Sequence, residues 1–441
     1  MTSHSHFGSP ACESFQRLTR RGFARAGIIG AGSMWLTQLA ERLAIANETK
    51  RESKSLLMIW LQGGPSQLDT FDPHAGTRIG GDVKSISTAL KGIEIADTLP
   101  ATAEQLQHAC LIRSMISKEG DHERATYHVK TGWRPEPTVV HPAIGSVLCY
   151  QSKNNIEIPR HISILPSQWP ARGGFIGPSF DAFQIGDPAE PIPNLISRVS
   201  DKQQESRLGP LLDTLESEFQ RGRLAHLDRD RTVHRTATQR AVTMMSSEQL
   251  TAFNVKAEGD NTLKKFGDSE FGRGCLAAIR LLDAGVCCVE VELTGWDSHI
   301  NNLEIQGNNA KTLDAALAAT LSELSLRGLL DNTVVFCGGE FGRTPRINPA
   351  EGRDHWPHGF SVLLAGGGVR RGYVHGATAT DIDDKAADPT VFTSNPVTVP
   401  DLHATLLHAL GVNFEEETIT PIGRPLRWSD GKLVPELLGK S

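Results

Sequence analysis

Leu56-Leu57-Met58-Ile59-Trp60-Leu61-Gln62-Gly63-Gly64-Pro65-Ser66-Gln67-Leu68-Asp69-Thr70-Phe71-Asp72 is the stretch on which the fold turns. A short unbroken apolar run that ends in Gly-Gly-Pro reads as a buried strand running into a tight turn. The turn presents Asp69 at the sheet edge, either as a ligand-facing carboxylate or as a cap for the next turn. Similar runs recur at Cys110 to Met115, Val286 to Leu293, Thr333 to Cys337 and Ser361 to Ala365, alternating with amphipathic helices. This alternation predicts an α/β fold: a mostly parallel sheet with helices on both faces. Leu313, Leu317, Leu321 and Leu324 fall on one stripe of a predicted helix. Two further helices, about 273–284 and 401–410, should stop at Gly285 and Gly411. Residues 187–268 are charged and rich in Arg and Gln, and they read as a helical insertion lying over the sheet.

Composition narrows the function. The chain has 441 residues, 45 Lys and Arg against 51 Asp and Glu, a formal charge of −6, 39% hydrophobic residues and 42 glycines. Such a chain is globular and mildly acidic, with no dense basic stretch, so nucleic acid is excluded as an expected partner. Seven cysteines without a Cys-x-x-Cys pair signal neither a zinc ribbon nor a disulfide scaffold. Near the start, Thr19-Arg20-Arg21-Gly22-Phe23-Ala24-Arg25 precedes an uncharged stretch, and Ala44-Ile45-Ala46 follows. Paired arginines, a short weakly apolar core and an A-x-A site are the layout of a twin-arginine signal, residues 1–46. The expectation is export as a folded protein through the twin-arginine machinery to the periplasm or exterior. The core is too short for a stable membrane anchor. Residues 47–441 would form one α/β domain.

In open α/β sheets ligands bind beyond the carboxyl ends of the strands, so the residues after each apolar run carry the candidate chemistry. After the second run come Gly120-Asp121-His122-Glu123-Arg124, where Asp121 and His122 serve either chemistry or a helix start. After the third comes Gly295-Trp296-Asp297-Ser298-His299, which can aim an Asp and a His at one ion. After the fourth come Gly338-Gly339-Glu340-Phe341-Gly342-Arg343 and then Arg353-Asp354-His355-Trp356-Pro357. Arg343, Arg346 and Arg353 either grip an anionic ester or neutralise local carboxylates. Gathering Asp69, Asp297 and Glu340 in one cleft would be costly without a compensating cation.

In their order and wording, Leu61 to Asp72, Gly295 to His299, Gly338 to Pro345, Arg353 to Pro357 and Asp401-Leu402-His403-Ala404-Thr405 resemble the domain-of-unknown-function 1501 family. That family consists of exported proteins related to the alkaline phosphatase and sulfatase superfamily, and the resemblance spans nearly the whole chain. It implies an alkaline-phosphatase-like fold and a metal-dependent hydrolase of phosphate or sulfate esters. Asp69 resembles the first-strand metal carboxylate, Asp297 with His299 the Asp and His pair of one metal, and His355 the last metal histidine. Glu340-Phe341-Gly342 stands where the superfamily has Asp-His-Gly, so Phe341 replaces a ligand. No Ser, Thr or Cys nucleophile is evident before Thr131-Gly132, and no Cys-x-Pro-x-Arg or Ser-x-Pro-x-Arg occurs.

The expected ligand sets are Asp297, His299 and His355 for one ion, with Asp69, Glu340 and His122 for a second. Mixed carboxylate and imidazole ligation suits zinc or manganese. Attack on the ester would come from a hydroxide that the metal generates near neutral pH, or from His122 as a nucleophile. Arg343 or Arg124 would steady the charge on the ester oxygens. The alternative is a catalytically degenerate exported protein that binds sulfated or phosphorylated glycans.

Overall fold

The computed structural model describes residues 54–439 apart from 155, 194, 196–198, 221–232 and 383–388. The expected signal segment, 1–46, lies outside the described residues. The described residues form one compact unit.

At its centre lies a nine-stranded sheet. In chain order its strands are β1 (Ser55–Leu61), β2 (Ala109–Ile116), β3 (His161–Ile164), β4 (Phe183–Ile185), β5 (Cys288–Leu293), β6 (Thr333–Gly338), β7 (Phe360–Gly366), β8 (Tyr373–His375) and β9 (Val397–Thr398). Across the sheet the order is β8-β2-β7-β6-β1-β5-β3-β4, with β9 also paired to β2. The pairings of β1 with β5 and β6, of β3 with β4 and β5, and of β2 with β8 and β9 are parallel. Only β7 runs against its neighbours, antiparallel to both β2 and β6. All five apolar runs of the sequence are strands of this sheet.

Because side chains alternate along a strand, β1 divides its residues between two cores. Leu57, Ile59 and Leu61 join one, together with Leu276 and Ile279 of α5 (Glu270–Asp283) and with Leu313, Leu317, Leu321 and Leu324 of α6 (Asn302–Leu326). Leu56, Met58 and Trp60 join the other, with Val129 of α1 (His122–Thr131), Val147 of α2 (Ile144–Gln151) and Leu406 of α7 (Val399–Ala409). Helices therefore cover both faces of a mostly parallel sheet. Gly285 and Gly411, both at positive φ, follow α5 and α7 as the helix-stop reading requires.

Between β4 and α5 the described residues include α3 (Asp201–Gln220) and α4 (Val233–Met245). Met244, Phe253 and Val255 of this region pack into the first core. The six described cysteines are free and buried. Among the described residues no helix is long and apolar enough to cross a membrane.

Candidate metal centre

The loops after β1, β2, β5 and β6 meet beyond the carboxyl ends of these strands. Gly63 makes the meeting possible: it holds φ +117°, and a Cβ there would lie 2.6 Å from the backbone nitrogen of Asp297. Next to it, a Cβ on Gly64 would enter the Phe341 ring at 2.5 Å. The two glycines let the first loop lie flat against both acidic loops. The first turn of α1 arrives from β2, with Asp121 accepting from the Arg124 backbone N–H at 3.1 Å, so Asp121 is the helix cap.

Three imidazoles and one carboxylate converge here. His122, Asp297 and His355 each place a ligand atom within 4.8 Å of the others. His299 joins them, its Nε2 3.0 Å from His355 Nε2 and 3.3 Å from Asp297 Oδ1. His355 Nε2 is 3.6 Å from Asp297 Oδ1, and His122 Nε2 is 3.4 Å from Asp297 Oδ2.

Each ring is fixed by its other nitrogen. His122 Nδ1 donates to Glu340 Oε1 at 2.6 Å, His299 Nδ1 to Asp354 Oδ1 at 2.9 Å, and His355 Nδ1 to the Gly120 carbonyl at 2.8 Å. A carbonyl and two carboxylates are acceptors, so they place the proton on Nδ1 and leave the Nε2 lone pairs facing one another. Two such lone pairs 3.0 Å apart repel unless a cation or proton lies between them. His122 Nε2 is buried without a hydrogen-bond partner. Nitrogen and oxygen ligands at about 2.0–2.1 Å from a tetrahedral ion stand about 3.3 Å from each other, and the separations found here bracket that value. The donor set therefore fits one divalent metal ion, with a carboxylate or a carbonyl oxygen holding each imidazole in place.

Charge supports the same reading. Burial works against the protonated form of His122, yet the Glu340 hydrogen bond and the Glu340 and Asp297 charges raise its pKa overall. Burial would raise the Asp297 carboxyl, but its bond to Arg343 and that guanidinium's charge hold it below the ordinary range. Burial lowers His355, and the nearby cationic groups lower it further.

The remaining expected residues are placed differently. Glu340 is fully buried: its Oε1 takes His122 Nδ1, Gln62 Nε2 at 3.0 Å and the Gly63 N–H at 3.0 Å, while its Oε2 is buried without a hydrogen-bond partner. Through Oε1 it orients His122. Asp69 is committed elsewhere, accepting from Ser66 Oγ at 2.5 Å and Asn302 Nδ2 at 2.9 Å, with Arg353 Nε at 3.4 Å. The expected grouping of Asp69, Glu340 and His122 about a second ion does not come together. The physical reason is internal neutralisation, since Asp69 has its counter-charge in the buried Arg353.

Arg343 is also fully buried. It donates to Asp297 Oδ1 at 2.7 Å, to the Gly64 carbonyl at 2.9 Å, to the Arg353 carbonyl at 3.0 Å and to the Gly63 carbonyl. With four of its five N–H donors spent on protein it neutralises and aims Asp297, where the sequence left open a grip on substrate. Arg124 is half-exposed and forks onto Glu119 through Nε at 2.8 Å and Nη2 at 3.0 Å. Arg134 binds the same carboxylate at 2.6 Å, and the Arg124 bond leads the effects that take Glu119 down to about 2. Phe341 packs its ring 5.0 Å from the centre of the His122 ring and 4.5 Å from that of His355.

Sequence reasoning assigned no role to Asp354, the Gly120 carbonyl or Gln62. Asp354 stands beside His355 in a stretch already singled out, but only the fold shows that it serves His299.

Residues 53–438 match the family described as "Protein of unknown function (DUF1501)". No curated protein matches the sequence. Solved structures that resemble the chain include a protein in the alkaline phosphatase superfamily from Vibrio parahaemolyticus, at 12% identity, covering 82% of this chain and 67% of that one, with a TM-score of 0.35. Another is the lipoteichoic acid synthase LtaP from Listeria monocytogenes, at 9% identity, 82% and 73% coverage and a TM-score of 0.34. The C-terminal periplasmic domain of EcEptC from Escherichia coli, in complex with Zn, gives 10% identity, 89% and 96% coverage and a TM-score of 0.37. Likenesses this distant carry no argument about activity.

Proposed function

The chain belongs to the DUF1501 family, and from the geometry of its centre we propose that it is an exported, metal-dependent hydrolase of phosphate or sulfate esters built on a single ion. The observation that supports this reading is the convergence of three imidazole Nε2 atoms, each ring fixed through Nδ1, upon the Asp297 carboxylate. His122, Asp297, His299 and His355 would hold the ion. A zinc or manganese ion in such a place supplies Lewis acidity toward an ester oxygen and lowers the pKa of a water.

The protein's own groups supply the rest. Asp297 and His299 are nearly half-exposed, with 46% and 47% of their side-chain surfaces accessible, so an anionic ester can reach them from solvent. Arg343 fixes the direction of Asp297 from behind and supplies the cationic charge that a second ion would otherwise bring. The Phe341 ring puts an apolar wall against His122 and His355. Arg124, in the first turn of α1, keeps Nη1 as the donor it would offer to an ester oxygen, near the positive end of the helix. Residues 1–46 would direct export through the twin-arginine machinery.

The test is metal analysis of the mature protein followed by a panel of phosphate monoesters, phosphate diesters and sulfate esters. One equivalent of transition metal with turnover of one ester class is expected. His355→Ala should release the ion while circular dichroism and thermal midpoint stay near wild type. No bound metal and no turnover would refute the hydrolase. A bound ion without turnover of any ester would favour the glycan-binding alternative, for which Phe341 in place of a ligand is the specific observation.

A further inference from the structure

The loop after β3 also reaches the carboxyl edge of the sheet, and it carries an aromatic side chain that the centre does not use. Trp169 is half-buried, and its ring lies nearly parallel to that of His122, 18° between planes and 6.5 Å between centroids. It belongs to none of the hydrophobic clusters beneath the sheet faces.

The backbone around it is held firmly. Leu165 adopts φ +55°, a conformation unfavourable for a bulky residue, directly before Pro166. The Trp169 carbonyl accepts from Lys130 Nζ at 3.1 Å, and Lys130 is fixed in turn by Glu290 at 3.1 Å. Lys130 lies on α1, two turns beyond His122, so one helix carries His122 and also anchors the backbone of the residue whose indole lies beside it. On another side of the centre Ile300, next to His299, is 57% exposed, and Ile347, next to the Asn348 that bonds the His299 carbonyl, is 46% exposed. An indole and two apolar side chains thus flank a centre whose own groups are polar.

We propose that Trp169 is a specificity-determining residue that stacks on a ring in the organic part of the ester, so that the substrates are esters of ring-bearing alcohols rather than of short acyclic ones. This inference rests on the hydrolase reading. The shared ligand chemistry is a flat ring face, whether aromatic or the C–H face of a pyranose.

The experiment measures binding to the metal-loaded mature protein by calorimetry, with methylphosphonate, phenylphosphonate and glucose 1-phosphate as probes and with methanesulfonate and benzenesulfonate in parallel. At least one ring probe should bind about 3- to 10-fold tighter than its acyclic partner, the size of a single aromatic contact. Whichever ring probe gains tells an aryl from a sugar substrate. In Trp169→Ala that ratio should fall to about 1, while Trp169→Phe retains most of it. A wild-type ratio of 1, or an equal loss on ring and acyclic probes in Trp169→Ala, would overturn the role of Trp169 and leave the hydrolase standing. Failure of all five anions to bind would overturn both.

Discussion

At the first turn of α1 His122 faces two carboxylates and keeps one ring nitrogen without a partner; at the last turn of the same helix His128 and Lys130 are buried with their partners in place. The His128 Nδ1 pairs with Ser117 Oγ at 3.2 Å, and Lys130 Nζ binds Glu290. His403 of α7 packs beside this end and binds the Val129 carbonyl through Nε2 at 2.6 Å. Burial takes both His128 and His403 down to about 4, whereas His122 is raised. One end of the helix is satisfied by protein alone. The other gathers negative charge and imidazole lone pairs, which a cation would complete. A histidine is thus assigned to structure or to chemistry by what its two ring nitrogens meet.

The largest effect should come from the satisfied end. Lys130→Met takes the lysine partner from Glu290, a carboxylate 2% exposed, and leaves it only His161 Nε2 at 3.8 Å. Losing one partner of a buried pair costs about 3–5 kcal/mol, which urea unfolding would read. A loss under about 1 kcal/mol would show that water reaches Glu290 and would erase the contrast.

Acid should act next, at the same end. Folded His128 and His403 keep their pKa near 4, while a free histidine titrates near 6.5. The unfolded chain therefore takes up protons first, and stability present above about pH 6.5 is lost as pH falls toward 4. The loss is roughly 3 kcal/mol for the fully buried His403. Denaturation midpoints between pH 7 and 4.5 would show it, and His403→Gln should flatten the slope. An unchanged slope in that variant would place the acid-sensitive group elsewhere.

At the centre the expected effects are smaller and concern the ion. Glu340→Gln weakens the acceptor that fixes His122 and should cost 10–100-fold in zinc affinity by chelator competition, the usual result of losing an outer-shell partner. If Glu340 were itself a ligand, the loss would match that of His355→Ala. The smallest change is expected for Asp354→Asn, below about tenfold, because Asp354 is half-exposed and water can replace its bond to His299. Equal effects of the two variants would mean that burial does not set the strength of these partners.

Much of the fold was legible because apolar runs and glycine turns act locally. β1, β2, β5, β6 and β7 and the leucine stripe of α6 stand where the pattern puts them. Asp297, His299 and His355 were legible because each follows a strand of a parallel sheet. His122 was found by position, but whether it serves as ligand or nucleophile depends on its tautomer, which Glu340 fixes from 218 residues away. Asp69 and Glu340 look alike in sequence, both acidic residues in glycine loops after strands. The fold gives Asp69 the buried Arg353 and turns Glu340 behind His122.

Glu290 of β5 was hidden inside an apolar run, since nothing local tells that Lys130 would meet it. By itself the sequence determined the layered α/β architecture, the edge of the sheet where polar residues gather and the residue types available there, because strand periodicity and turn chemistry are short-range. Only the tertiary structure decided which carboxylates are neutralised by arginine or lysine and which group of imidazoles has its lone pairs turned toward one another. Charge compensation and tautomer choice depend on partners that the chain brings together across hundreds of residues.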